Sequence, residues 1–173
     1  QVSSASLTAG SSSVDLATLQ DISSTVTASA GTTLTVWAGQ SIGGTMTGSD
    51  NVTVTSQTNA VTANVTSGAS ASVTALTTIS GTINAAQSAS VYAMDGISGN
   101  VTAGTGATVV ALDGPISGNV SAGGTLSEFA RTNISGSASA GGDASVTAFG
   151  NISSPVSAGQ DAFVSVGGST TAS

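Results

Sequence analysis

Residues 97–104 read ISGNVTAG and residues 116–123 read ISGNVSAG. The echo extends along the whole chain. Counting from its isoleucine, comparable stretches begin at Ile22, Ile42, Val61, Ile79, Ile97, Ile116, Ile134 and Ile152, at spacings of 20, 19, 18, 18, 19, 18 and 18 residues. A more divergent unit begins near Ser3, giving about nine in all. A fixed period of this kind is the signature of a repeat architecture, in which each unit buries its apolar face against its neighbours. No linker or shift in composition interrupts the series, so residues 1–173 form one array.

Each unit contains two runs of alternating residues. The first contributes Ile79, Ile83 and Ala85, or Ile97, Val101 and Ala103; the second contributes Val73 and Ala75, Val91 and Ala93, or Val146 and Ala148. A period of two puts these small apolar groups on one face of a strand and Ser, Thr and Asn on the other. Glycines between the runs, as in AGTG at 103–106 and AGGD at 140–143, suit tight corners. Gly, Ser, Thr and Val are all weak helix formers. Units of this length are too short for a strand–helix–strand crossover. The expected fold is therefore all-β: a single-stranded parallel β-helix, or β-solenoid, of about nine coils of 18–20 residues. A lone coil has too few apolar side chains to offset the entropy of ordering it, so the coils must stack. At ~4.8 Å per coil the stack would be ~43 Å long.

Composition narrows the functions. Charged residues make up 5% of the chain, against about 25% in an average soluble domain. There is no Cys, His or Lys, and Arg131 is the single basic residue. The usual zinc, haem and iron–sulfur ligands are missing, and so are the bases of most nucleophilic triads. One arginine and a net charge of −7 argue against nucleic-acid binding. No stretch approaches the ~18 uninterrupted apolar residues of a membrane span. The sequence thus predicts no cofactor, no membrane insertion and no enzyme. The start at Gln1 suggests a processed subunit or a segment of a longer chain.

Runs such as GNVTAG, GGDASVTAFGNISSPVSAG and GQDAFVSVGG resemble the repeats of filamentous-haemagglutinin-like regions in large bacterial exoproteins and adhesins. The resemblance covers most of the chain and implies a right-handed parallel β-helix serving as an adhesin shaft or surface fibre. It also implies an extracellular or cell-surface location. Such proteins often carry a secretion domain and a functional tip, and neither is recognisable here.

Four groups of residues are candidates for more than scaffolding. Outward positions of the first run read Thr25/Thr27, Thr45/Thr47, Asn64/Thr66, Thr82/Asn84, Asn100/Thr102 and Asn119/Ser121, then Ser137/Ser139 and Pro155/Ser157. Their simplest role is a solvated face with side-chain ladders. The alternative is an ice- or carbohydrate-binding surface, although the decay from Thr to Asn and Ser disfavours a lattice match to ice. A second group, Leu19, Trp37, Leu76, Met94, Leu112 and Phe149, is larger than its surroundings and fills an inner corner or forms an exposed stripe through which rods bundle. Tyr92 shares a column with Thr74 and Thr147 and faces outward. Trp37, Tyr92 and Arg131 are the candidate lateral contacts.

The third group is the six N-x-S/T sequons, at Asn51, Asn64, Asn100, Asn119, Asn133 and Asn151, which read more simply as stacked or turn asparagines than as glycosylation sites. The fourth is the carboxylates Asp15, Asp21, Asp50, Asp95, Asp113, Glu128, Asp143 and Asp161. They are spread near turns, where turn chemistry explains them better than calcium or catalysis. The stretch SEFARTN at 127–133 is the least regular. An ungapped alignment buries Glu128, whereas a two-residue shift would put Leu126 inside, leave a local protrusion and pair Glu128 with Arg131 at the surface. The overall expectation is a structural component of a fibre that self-associates end to end, side by side, or both.

Overall fold

The structure is a computed structural model that describes residues 1–3, 5–23 and 27–170. It is all-β, a stack of nine coils with two short strands in each. Coils 1 to 3 hold β1 Ser6–Ala9 and β2 Val14–Thr18, β3 Thr27–Ala30 and β4 Leu34–Ala38, and β5 Thr45–Gly48 and β6 Val52–Ser56. Coils 4 to 6 hold β7 Asn64–Ser67 and β8 Ala71–Ala75, β9 Ile83–Ala85 and β10 Ala89–Ala93, and β11 Val101–Ala103 and β12 Ala107–Ala111. Coils 7 to 9 hold β13 Val120–Ala122 and β14 Leu126–Ala130, β15 Ala138–Ala140 and β16 Ala144–Ala148, and β17 Val156–Ala158 and β18 Ala162–Val166.

The odd-numbered strands form one nine-stranded parallel sheet and the even-numbered strands a second. A third line of pairing is a column of single-residue bridges that runs from Val2 and Ile22 through Ile97 and Ile116 to Ile152 and Thr170. The anchor isoleucines of the repeat are thus stacked directly on one another. Backbone bonds flank each bridge on both sides: Ile97 N–H donates to Pro115 O of the next coil at 2.9 Å, and Ser98 N–H donates to Ile79 O of the coil before at 2.9 Å. Among the described residues there is no helix, and so none long and apolar enough to cross a membrane.

Alternation sets the core. In the second sheet, Val36, Val54, Val73, Val91, Val109 and Val146 form one buried column and Ala75, Ala93, Ala111, Ala130 and Ala148 another. The two sheets both contribute to this core: Ala28 in β3 and Leu34 in β4 are buried in coil 2, and Ile83 in β9 and Ala89 in β10 in coil 5.

The glycine of the repeated ISG has a packing cause. Gly81, Gly99, Gly118 and Gly136 stack in register, and a Cβ on Gly99 would run into the carbonyl oxygen of Gly81 beneath it. The same collision recurs for Gly118 over Gly99 and Gly136 over Gly118. Because the obstacle is backbone, it cannot rotate away. Gly44 is a different case: it leads into β5 with φ of 97°, a left-handed conformation that disfavours side chains.

The irregular unit is the main departure from expectation. β14 pairs without a shift, setting Val109, Glu128 and Val146 side by side in one core column. Leu126 and Glu128 are therefore both inside, each 2% exposed, and no protrusion forms. Neighbouring strands hold β14 at five positions on either side, and a slip would forfeit those bonds. Arg131 does not meet Glu128; its guanidinium pairs with Asp113 at 3.0 Å across an exposed corner.

Candidate functional site

Four features follow from this architecture: an outward polar face, an apolar edge, the two end coils and a buried carboxyl group.

The polar face is the outside of the first sheet. Thr27, Thr45, Asn64, Thr66, Asn84, Asn100, Thr102, Asn119 and Ser121 are exposed there, and Thr47 and Thr82 are half-buried. One register differs from expectation. Thr27 stacks on Thr45, and Ser29 stacks on Thr47, because coil 2 has two more residues than coil 3 between its isoleucine and its strand. Thr25 lies outside the described residues.

Three asparagines on this face, Asn64, Asn100 and Asn119, are already engaged. Asn64 Oδ1 accepts from Thr82 N–H at 3.0 Å, and Asn100 Oδ1 accepts from Asn119 N–H at 2.9 Å. Asn119 Oδ1 then accepts from both Ser137 N–H and Ser137 Oγ–H at 2.9 Å. Asn51, Asn133 and Asn151 make the same bond from another corner, to the N–H groups of Ser70, Asn151 and Ser169. Every sequon asparagine thus caps a backbone donor of the next coil. Asp21 and Asp143 do likewise for Ser41 and Asp161. These side chains complete the backbone ladder where no strand pairing reaches.

The apolar edge follows the ends of the even-numbered strands. Leu76, Met94, Leu112, Arg131 and Phe149 are stacked there in consecutive coils, held by bonds such as Leu112 N–H to Ala93 O at 3.0 Å and Phe149 N–H to Ala130 O at 3.1 Å. They do not fill an inner corner. Leu76 is 47% exposed, Phe149 59%, and Leu19 further along the same edge 80%. Trp37 falls outside this column: it pairs with Ala17 and Thr55 within the second sheet, which places it in line with Tyr92. Tyr92 faces outward, as expected, and is flanked by Thr74 and Val110. The next outward residue, Phe129, meets Phe149 edge to face with ring centroids 5.6 Å apart.

The end coils expose groups that are buried elsewhere. Ala162 and Val164 continue the core columns of Ala144 and Val146, yet both are exposed, and Val166 is half-buried. Val156 and Ala158 are half-buried where Ala138 and Ala140 one coil earlier are covered. At the other end Val2, Leu7 and Ala9 are half-buried. Among the described residues, no strand pairs with the outer edge of β1 and β2 or of β17 and β18.

Glu128 is the chemical exception in an apolar interior. Neither carboxyl oxygen has a hydrogen-bond partner, and desolvation by burial pushes its pKa up to about 8. A neutral acid fits such a site, and a carboxylate does not. Sequence reasoning raised this burial but set it aside as too costly for a charge; protonation removes that cost. Among the described residues, no three carboxylates converge to form a cation site. No protein-family model, curated protein or solved structure matches the chain.

Proposed function

We propose that this chain is a structural element of an extracellular or cell-surface fibre, a shaft of the adhesin type that assembles through β-pairing of end coils and through lateral contacts. The observation that carries this reading is the state of the end coils, where Ala162, Val164 and Leu7 continue the core columns and no described residue stacks over them. A second copy stacked in register would cover them, setting β1 on β17 and β2 on β18, so that the core columns and backbone ladders run on from chain to chain. The function is then mechanical. Each coil adds backbone bonds on both of its faces, and the interior is built from small residues with little rotamer entropy to lose. The resemblance to bacterial exoprotein repeats supports the same reading.

Electron microscopy of the purified chain tests it. Filaments with an axial repeat of ~4.8 Å are expected. Isolated rods of ~43 Å at all concentrations would refute end-to-end assembly. The role would then pass to the Thr and Asn face as an ice- or carbohydrate-binding surface, which thermal hysteresis and glycan-binding assays would distinguish.

A further inference from the structure

The apolar edge has a charge pattern that specifies what covers it. From coil 4 to coil 8 it presents Leu76, Met94, Leu112, Arg131 and Phe149 in a line along the stack, with Tyr92 and Phe129 beside them. A groove of about 350 Å³ opens between Met94, Leu112, Phe129 and Phe149, and its rim is the Arg131–Asp113 pair. Leu76, Tyr92 and Phe149 are exposed and Met94, Leu112 and Phe129 half-buried, so the one basic side chain of a chain with net charge −7 sits within a line of accessible apolar groups. Isolated exposed apolar residues need no explanation, but a contiguous line of them with a charged centre does.

We propose that this edge is where a second copy of the chain packs side by side, with the two rods antiparallel. The proposal rests on the fibre reading and names its lateral contact. With eight carboxylates and one basic side chain per copy, the side-chain charge contact that attracts two copies is a carboxylate of one reaching Arg131 of the other. Asp113 stands one coil from Arg131 on the same edge, and both side chains are more than half accessible or close to it, at 62% for Arg131 and 50% for Asp113. A two-fold axis between coils 6 and 7, perpendicular to the stack, sets coil 6 of each rod against coil 7 of the other. Asp113 of each copy then faces Arg131 of the other, Met94 faces Phe149, and Leu76 lies over the small Gly167. The patch is its own complement, as a two-fold interface requires. Parallel pairing in register would instead place Arg131 on Arg131. A small apolar ligand would fill the groove but leave Leu76 and Tyr92 uncovered, whereas a second rod matches the full length of the edge.

The chain has no cysteine, so engineered thiols report on this geometry directly. The M94C and F149C proteins are mixed under mild oxidation, with S121C on the opposite face as control. The mixed M94C–F149C disulfide is expected to exceed both self-disulfides and the S121C dimer. Adding Arg131→Asp should lower its yield about tenfold, since attraction becomes repulsion. Self-disulfides of M94C equal to the mixed product, a yield no greater than that of S121C, or indifference to Arg131→Asp would each overturn the proposal. So would uptake of an apolar dye by a chain that forms no mixed disulfide, which would assign the edge to a small ligand. The outcome is separable from that of the fibre reading: filaments without the mixed disulfide refute this edge alone, and the mixed disulfide without filaments refutes end-coil pairing alone.

Discussion

Glu128 holds, in coil 7, the core position that Val146 holds in coil 8, and the two residues are direct register partners in adjacent strands. The flanking strand on the other side offers Val109, so both partners in the column are valines. With no donor within reach, the side chain is accommodated as the neutral acid, and its pKa rises from 4.5 to about 8.

A pH dependence of stability follows, with a defined sign. Below about pH 4.5 the group is protonated in both the folded and unfolded chains, and its contribution is constant. Between about 4.5 and 8 the folded chain keeps a proton that the unfolded chain has lost, so stability falls as pH rises. Above about 8 the loss levels off, at up to about 5 kcal/mol. Denaturant titrations at pH 4, 6 and 9 should show the decline, and Glu128→Val should flatten it while raising stability most at alkaline pH. An unchanged slope in the valine variant would show that other groups carry the effect.

The stacked glycines predict a different kind of sensitivity. Gly99→Ala drives a Cβ into the backbone of coil 5, and the backbone of an interlocked stack has little room to move. A loss of about 3 kcal/mol is expected, the upper end of overpacking effects. Gly10→Ala is the matched control: a Cβ there meets nothing within 4 Å, so a change within about 0.5 kcal/mol is expected. Thermal melts of the two variants decide the point.

Much of this was legible in the sequence, and each departure has its own physical origin. The inward columns of Ile79, Ile83 and Ala85 could be read directly, because a strict period of two leaves one assignment of faces. The shift of Thr27 and the misplacement of Trp37 both arise in coil 2. Extra residues sit in its turns, and counting from Ile22 cannot reveal which turn absorbs them. The placement of Glu128 followed from treating it as a fixed charge. Parallel pairing on both sides fixed the register first, and the carboxyl group adapted by keeping its proton. The exposure of Leu76 and Phe149 was an open choice because both immediately follow a strand, where alternation no longer dictates the face.

The asparagine ladder gives a test by substitution with an isostere. Asn119 accepts from two groups of Ser137, and Asn119→Ala leaves a backbone N–H without that partner. A loss of about 1 kcal/mol is expected. Asn119→Asp keeps an oxygen in the same place and should retain most of the stability at neutral pH. Hydrogen exchange at the Ser137 amide is the direct readout: faster in the alanine variant, near wild type in the aspartate variant. Equal exchange in both would mean that the side-chain bond contributes nothing to the ladder.

End-coil pairing makes the most consequential prediction, because it separates assembly from folding. Val164 points along the core column of Val146 but is 40% exposed, since no described strand stacks on the far side of β18. Val164→Asp costs the isolated chain little, on the order of 1 kcal/mol, because the new carboxylate stays in contact with water. Within a head-to-tail joint the same carboxylate would be buried beside Leu16 of the next copy, where an unpaired charge is costly. The expected outcome is a well-folded rod that no longer forms filaments, seen by sedimentation and electron microscopy alongside an unaltered circular dichroism spectrum. The same change at Ser121, exposed on the polar face, should leave filaments intact. Filaments of normal length from Val164→Asp would show that the chains join through some other surface, and the exposed core of coil 9 would lose its place in assembly.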